Sequence, residues 1–330
     1  MHRSALAVLC AALVSAACSE PVRQAPHPEV DVERIRTHVE RLTTAEQAGA
    51  GAGSRGEQLA AAYLTNEFGA MGLRVETQTV PISRITPRVM TFSTGGGSAR
   101  TLRPGEDFVA WTRRREPQVD ATAEIVFAGY GISAARQGWD DYKTVDVRGK
   151  IVLLLSGDPL SGKRHRLGPV GRDVYAGRDY KFEEAARRGA TGVFLIHQPG
   201  RTRPWPVIRR ESAEVQDLDQ PSRSAPPALI EGWVTAAAAA ELLAGAGKPY
   251  GELLDLANQT NFMPVTLPAQ ATVSLTSEIA RTTATNVVAT LDPDTRDSEE
   301  TAAPQPYVLY STHWNDLPEH GGATGHLATD

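Results

Sequence analysis

The sequence predicts an α/β fold that carries a β-rich insertion, and three observations predict it. Two helical periodicities and then an alternating strand occupy residues 31–87. From about Arg88 the texture changes to short strands, glycine-rich turns such as Gly95-Gly96-Gly97 and few long helical periods, which is an all-β signature. After Phe262, alternation resumes at Ala271–Leu275 and again at Asn286–Leu291. The middle of the chain therefore reads as an insertion between two pieces of an α/β domain. At 330 residues the chain exceeds the usual length of one domain, and 41% hydrophobic content is enough to fill more than one core.

The elements follow in order. His2 and Arg3 precede an apolar run from Ala5 to Val14 and the small residues Ser15-Ala16-Ala17, the layout of an export signal over residues 1–18. The run is too short to span a bilayer as a stable helix. Both cysteines, Cys10 and Cys18, lie in this segment, so the rest of the chain has no disulfide to form. Cys18, after Ala16-Ala17 and before Ser19-Glu20-Pro21, resembles the lipidated cysteine of a bacterial lipoprotein site, although Ser15 stands where that pattern prefers leucine. Plain secretion is the alternative, so the chain is expected at the cell envelope as a lipoprotein, or periplasmic or secreted. Residues 19–30, with Pro21, Pro26 and Pro28, read as a tether.

Val32, Ile35, Val39 and Leu42 predict an amphipathic helix over 31–46. Ser54 and Glu57 make an S-x-x-E capping box opening a second helix through Leu59, Tyr63, Leu64 and Phe68, with Gly69 or Gly72 to end it. Leu73–Ile82 alternates as a strand. Ala123–Phe127 and Ile151–Leu155 are apolar strand-like runs, and a helix from Tyr180 to Arg188 closed by Gly189 leads to a buried strand at Gly192–His197. Residues 199–228, rich in Pro and Arg, read as a long surface loop. Thr235 caps an alanine-rich helix to about Ala246.

Charge and motifs exclude several functions. A net charge of -5, with Lys and Arg scattered, gives no basic field for nucleic acid. Gly51-x-Gly53-x-x-Gly56 matches the dinucleotide fingerprint literally but follows a helix, so the pyrophosphate has no strand–turn–helix frame. Gly157-Asp158-Pro159-Leu160-Ser161-Gly162-Lys163 imitates a P-loop, yet Arg164 replaces the Ser or Thr that holds magnesium and Pro159 removes a donor, leaving a surface turn. His38, His165 and His197 have no ligand partner at i+2 to i+4 and read as structural or surface residues. Asp140-Asp141 reads as a solvated turn, since neighbours in a strand face opposite ways. A strand-like run, Tyr307–Ser311, delivers His313 at its carboxyl end, where open α/β sheets place chemistry. His313, His320 and His326 cluster there with Asn315, Asp316, Glu319 and Asp330, a grouping that a polar tail would also show.

As an ordered series, several segments resemble the exported bacterial members of the co-catalytic di-zinc aminopeptidase family, related to glutamate carboxypeptidase and the transferrin receptor. Gly49–Gly56 with Gly56–Leu64 and Gly72-Leu73 is similar to the family's amino-terminal helical stretch. Phe127–Ile132, Trp139–Tyr142, Asp146–Val152 and Tyr180–Ala186 through Gly189-Ala190 resemble an inserted protease-associated domain. Thr285–Ala289 and Tyr307–Trp314 resemble the strands that return to the catalytic core.

The resemblance implies an α/β/α zinc-peptidase sandwich begun by residues 31–87, a β-rich protease-associated insertion at 88–268 and the start of the catalytic core at 269–330. It implies two zinc ions in intact relatives and a peptide substrate with a free amino end. No nucleic-acid partner is expected, and membrane association only through a lipid anchor at Cys18. It assigns His313 as a terminal zinc ligand and Asp330 as the start of the bridging-aspartate motif, with Leu327 in place of the family's glycine. Asn315 stands where the family has an aspartate that orients the histidine, and a neutral amide cannot raise ligand basicity as a carboxylate does. The general-base glutamate and the remaining ligands have no counterpart, and the chemistry needs two metals and a base. A polypeptide of this sequence is therefore expected to be catalytically incomplete, and the alternative is a non-catalytic peptide- or protein-binding module at the envelope.

Overall fold

A computed structural model describes residues 30–44, 51–95, 99–159, 167, 174–219, 225–244, 249–291 and 308–314. They fall in two units, Met1–Ala48 and Gly49–Asp330. Among the described residues the first holds α1 (Val32–Leu42), capped by Asp31, whose carboxylate accepts from the Arg34 N–H at 3.1 Å. It ends at Leu42, four residues short of the 46 expected from the sequence, where the Thr43 hydroxyl turns back to the Val39 carbonyl at 2.8 Å and competes for the acceptor that the next turn would use.

The second unit opens with α2 (Arg55–Ala70), where Ser54 Oγ accepts from the Glu57 N–H at 3.1 Å. The capping box is completed differently from its usual form. The N–H of Ser54 is already taken by the Gly51 carbonyl at 2.9 Å, so the buried Glu57 carboxylate accepts instead from Gly53 and, at 2.7 Å, from Thr285. One side chain thus closes the glycine-rich loop and ties it to a strand more than two hundred residues away.

That strand belongs to a mixed nine-stranded sheet. Its members are β1 (Arg74–Thr94), β2 (Arg100–Leu102), β3 (Phe108–Trp111), β4 (Gln118–Phe127), β7 (Ile151–Leu155), β8 (Gly192–Ile196), β9 (Val215–Leu218), β10 (Ile230–Val234) and β11 (Val265–Thr290), while β5 (Ser133–Ala134) and β6 (Trp139–Asp140) form a separate ribbon. The order is β2-β1-β11-β4-β7-β8-β10-β3, with β9 also on β1. β4, β7, β8 and β10 run parallel, and the remaining pairings are antiparallel.

Alternation along the parallel strands feeds two cores. Ile125, Phe127, Ile151, Leu153, Leu155, Phe194, Ile196 and Val234 face one side, under α5 (Ala236–Leu243) and α6 (Tyr250–Ala257) through Leu242, Leu243 and Leu253. Val126, Val152, Leu154, Val193, Leu195 and Trp233 face the other, under α3 (Arg178–Arg187) and α4 (Trp205–Glu211) through Phe182, Ala185 and Ile208. Covering both faces is why β7 and β8 are buried at every position. The class is α/β, as expected.

Several elements differ from the sequence reading. The stretch 199–228 is not one surface loop: it holds α4, started by Pro204 and Pro206, and β9. α6 has no counterpart in the sequence reading. The alternations at 271–275 and 286–291 are one strand, and the strand from Leu73 continues to Thr94, because β1 and β11 satisfy each other's backbone over almost their whole length. Local polarity at Ser277-Glu278 does not interrupt a strand whose hydrogen bonds are made across the ladder. The boundaries drawn at 87/88 and 268/269 lie inside these strands, beside a bulge between Pro87 and Val89 and a register shift between Thr266 and Gln270.

Gly232 sits where β10 meets both β3 and β8. A Cβ there would lie 2.3 Å from the Val109 carbonyl oxygen and 2.7 Å from the Phe194 ring. Gly232→Ala is expected to cost about 1–3 kcal/mol by overpacking, whereas Gly251→Ala, with nothing within 4 Å in a helix, should stabilise by about 0.5–1 kcal/mol. Urea unfolding of the two variants checks the contrast.

Candidate functional site

Polar side chains excluded from the two-sided core collect beyond the carboxyl ends of β4, β7 and β8. After β4, the Tyr130 carbonyl accepts from Lys181 Nζ of α3, and the Tyr130 hydroxyl accepts from Arg201 Nη1 at 3.0 Å and donates to Asn258 at 3.2 Å. After β7, Ser156 Oγ donates to the Ile196 carbonyl at 2.8 Å, and the Asp158 carbonyl accepts from Arg201 Nη2 at 2.6 Å. After β8, Gln198 Nε2 donates to the Ser156 carbonyl at 2.8 Å. Arg201 therefore clamps the ends of three strands, as its planar fork permits.

Asp141 lies in the loop between β4 and β7, only 2% exposed. It accepts from the Ile132 N–H at 3.0 Å and from Trp139 Nε1 at 2.9 Å. The solvated-turn reading of Asp140-Asp141 is thus wrong for Asp141. The tight ribbon of β5 and β6 folds the loop back, so the side chain is surrounded by the donors it needs. Burial pushes its carboxyl up to about 6, against the hydrogen bonds from Ile132 and Trp139 and the charge of Lys181. Burial pulls the fully enclosed Lys181 ammonium down to about 7, against the attraction of Asp141 and Asp158. At the other end of the sheet, Glu231 in β10 is held by both nitrogens of the Arg113 fork, at 2.7 and 2.8 Å, and by Trp111 Nε1 at 3.1 Å.

These residues were not singled out from sequence as a site. Lys181 could have been: it is adjacent to Phe182 and one helical turn from Ala185 on the face that α3 buries. Chemically the cluster is closed. Ser156 Oγ donates to a main-chain carbonyl rather than facing a base, and His197 Nε2 bonds to the Arg203 carbonyl at 3.1 Å beside the Trp205 ring. His197 is thus structural, as its lack of a ligand partner predicts. Such a network fixes loop positions; it sets up no nucleophile–base pair.

His313 is exposed and lies in a stretch without regular structure, and Val308, Leu309 and Tyr310 are 80%, 86% and 92% exposed. The strand expected at 307–311 is therefore not formed over residues 308–311: an alternating run becomes a strand only where a neighbour takes its backbone groups, and among the described residues none does. Cys18, Asn315 and Asp330 lie outside the described residues, as do His165, His320, His326 and most of the P-loop-like turn. Among the described residues no three His, Cys, Asp or Glu side chains gather as a metal site.

No protein-family profile matches the sequence, and no curated protein sequence matches it. Among solved structures the chain is similar to an aminopeptidase from Aneurinibacillus sp. strain AM-1 (TM-score 0.41, 22% identity, covering 81% of this chain and 49% of that one). It is also similar to a peptidase M28 precursor from Shewanella amazonensis SB2B (TM-score 0.36, 16% identity, 77% and 49%). A third is BSAP, a zinc aminopeptidase from Bacillus subtilis (TM-score 0.33, 17% identity, 78% and 46%). The chain spans about half the length of each.

The buried pair gives stability a signed pH dependence. Between about pH 7 and 10.5 the unfolded chain holds the Lys181 proton and the folded chain does not, so stability rises with pH. Between 3.8 and about 6 the folded chain alone holds the Asp141 proton, so stability falls as pH rises. The urea midpoint is expected to be higher at pH 9.5 than at pH 7, and Lys181→Met should remove most of that gain, worth roughly a few kcal/mol.

Proposed function

We propose that this chain belongs to an exported zinc aminopeptidase, and that residues 88–268 are its protease-associated domain, which shapes how the free amino end of a peptide reaches the catalytic cleft. One observation carries the reading: the segments that resemble the protease-associated insertion, spread over some sixty residues, converge in space. Trp139 donates to Asp141, which holds Ile132. Lys181 donates to Tyr130, the Gly149 N–H to the Gly189 carbonyl at 2.9 Å, and the Thr191 N–H to the Lys150 carbonyl at 2.8 Å. Residues that hold one another in a single core form a module rather than a coincidence of short patterns.

Residues 31–87 and 269–330 are assigned to the peptidase domain, with His313 and Asp330 as zinc ligands and Asn315 orienting His313. The described residues by themselves do not fit a zinc site, since no three His, Cys, Asp or Glu side chains gather among them. An anchor at Cys18 would hold the protein at the envelope; among the described residues no helix is long and apolar enough to cross a membrane.

The second reading, a non-catalytic binding module, is favoured by the closed polar network at the strand ends. Reading the coding sequence past Asp330 separates the two. An in-frame stretch bearing the glutamate base and the further Glu, Asp and His ligands is expected, and its absence would overturn the enzyme in favour of the module. A polypeptide of these 330 residues, supplied with zinc, is expected to release no chromophore from aminoacyl nitroanilides; chelator-sensitive release would show that its site is complete.

A further inference from the structure

The helix α1 gathers its apolar side chains on one side without burying any of them fully. At about 100° per residue, Val32, Ile35, Val39 and Leu42 fall within an arc of about 80°. Val32 and Ile35 are 62% and 49% exposed, and Val39 and Leu42 are half-buried. An isolated helix of this length is marginal in water. A cover over the stripe would therefore stabilise the helix as well as remove the stripe from water.

The residues that border the stripe narrow the choice of cover. Arg36 and His38 stand about 80° to either side of its midline, whereas Glu33 and Glu40 are turned about 120–140° away and Thr37 points opposite. Arg36 lies 3.8 Å from Glu33 with both side chains mostly exposed, a surface pair of little strength that the guanidinium can leave. A long cationic side chain beside an apolar stripe, with the carboxylates turned away, suits a phospholipid surface. Its stem lies along the acyl boundary while its head reaches a headgroup phosphate.

Chain length points to the same occupant. Thirteen residues, Ser19 to Asp31, separate Cys18 from α1. A flexible tether of that length spans about 20 Å on average, so a lipid on Cys18 would hold the helix within reach of the headgroups and make the second contact intramolecular.

We propose that α1 lies in the plane of a phospholipid bilayer surface, with Val32, Ile35, Val39 and Leu42 in the acyl boundary and Arg36 at the headgroup phosphates. The protein thereby has a second membrane contact besides the lipid. That a membrane is at hand rests on the anchor at Cys18 proposed above; the face that meets it rests on α1 alone.

The test uses the full chain as exported, carrying Cys18→Ser so that no lipid contributes, and mixed phosphatidylcholine–phosphatidylglycerol vesicles. The chain is expected to sediment with vesicles at millimolar lipid. Ile35→Gln with Val39→Gln should lower that partition about tenfold or more, although glutamine is the better helix former and the charge is unchanged. Thr37→Gln, on the opposite side, should leave it unaltered. No sedimentation at millimolar lipid, no effect of the double substitution, or an equal loss with Thr37→Gln would each overturn the proposal. Mass spectrometry of the unsubstituted chain reads lipid on Cys18 separately, so failure of the anchor reading leaves the sedimentation contrast standing.

Discussion

Burial of β7, β8, β10 and the carboxyl end of β4 on both faces is the constraint on which the rest of the unit depends. A strand covered on one side can turn every second residue to water; one covered on both cannot. Each of these strands therefore sends alternate apolar side chains into two cores, and the helices must lie in pairs, α5 and α6 above, α3 and α4 below. Polar side chains inside such a layer are costly unless paired, as Glu231 is by Arg113 and Trp111. The rest are displaced to the strand ends, which is why Tyr130, Ser156, Gln198 and Arg201 meet there.

Asp141 and Lys181 show how that displacement stiffens the loops. Each charge would be costly to bury alone, and each is surrounded by groups that favour its ionised form. Asp141 gathers two donors from the short ribbon of β5 and β6, and Lys181 reaches across from α3 to the main chain at Tyr130. The loop after β4 is thereby fixed to a helix that follows it by fifty residues. Removing the Lys181 ammonium would leave the Tyr130 carbonyl without its donor from α3, so the loop and α3 are energetically coupled.

The β1–β11 ribbon obeys a different rule. Its strands are antiparallel and largely open to water, so their length is limited by mutual pairing rather than by helices packed on them. A long ribbon has long edges, and the edge of β1 is taken in turn by β9 and by β2, with β3 lying close to it and Pro87 and the bulge at Arg88 between. A central layer built to exclude water and a ribbon largely open to it make very different surfaces within one unit.

Periodicity and capping were legible in the sequence. Ser54, Thr235 and Gly189 marked helix ends, and the unbroken apolar runs at Ile151–Leu155 and Gly192–Ile196 marked strands with no wet face, because hydrogen-bond chemistry and burial act within a few residues of where they are encoded. What joins distant residues was not legible. The single strand at 265–290 exists because β1 lies beside it, Asp141 is buried because a ribbon folds it under Trp139, and Glu57 spends its carboxylate on Gly53 and Thr285 rather than on its own cap. The run before His313 carried the same alternation as a true strand without a described partner to pair with it. Alone, the sequence determined which segments would be helical, extended or apolar; only the tertiary structure decided which strands pair and which polar groups are buried, because both depend on neighbours brought together across the fold.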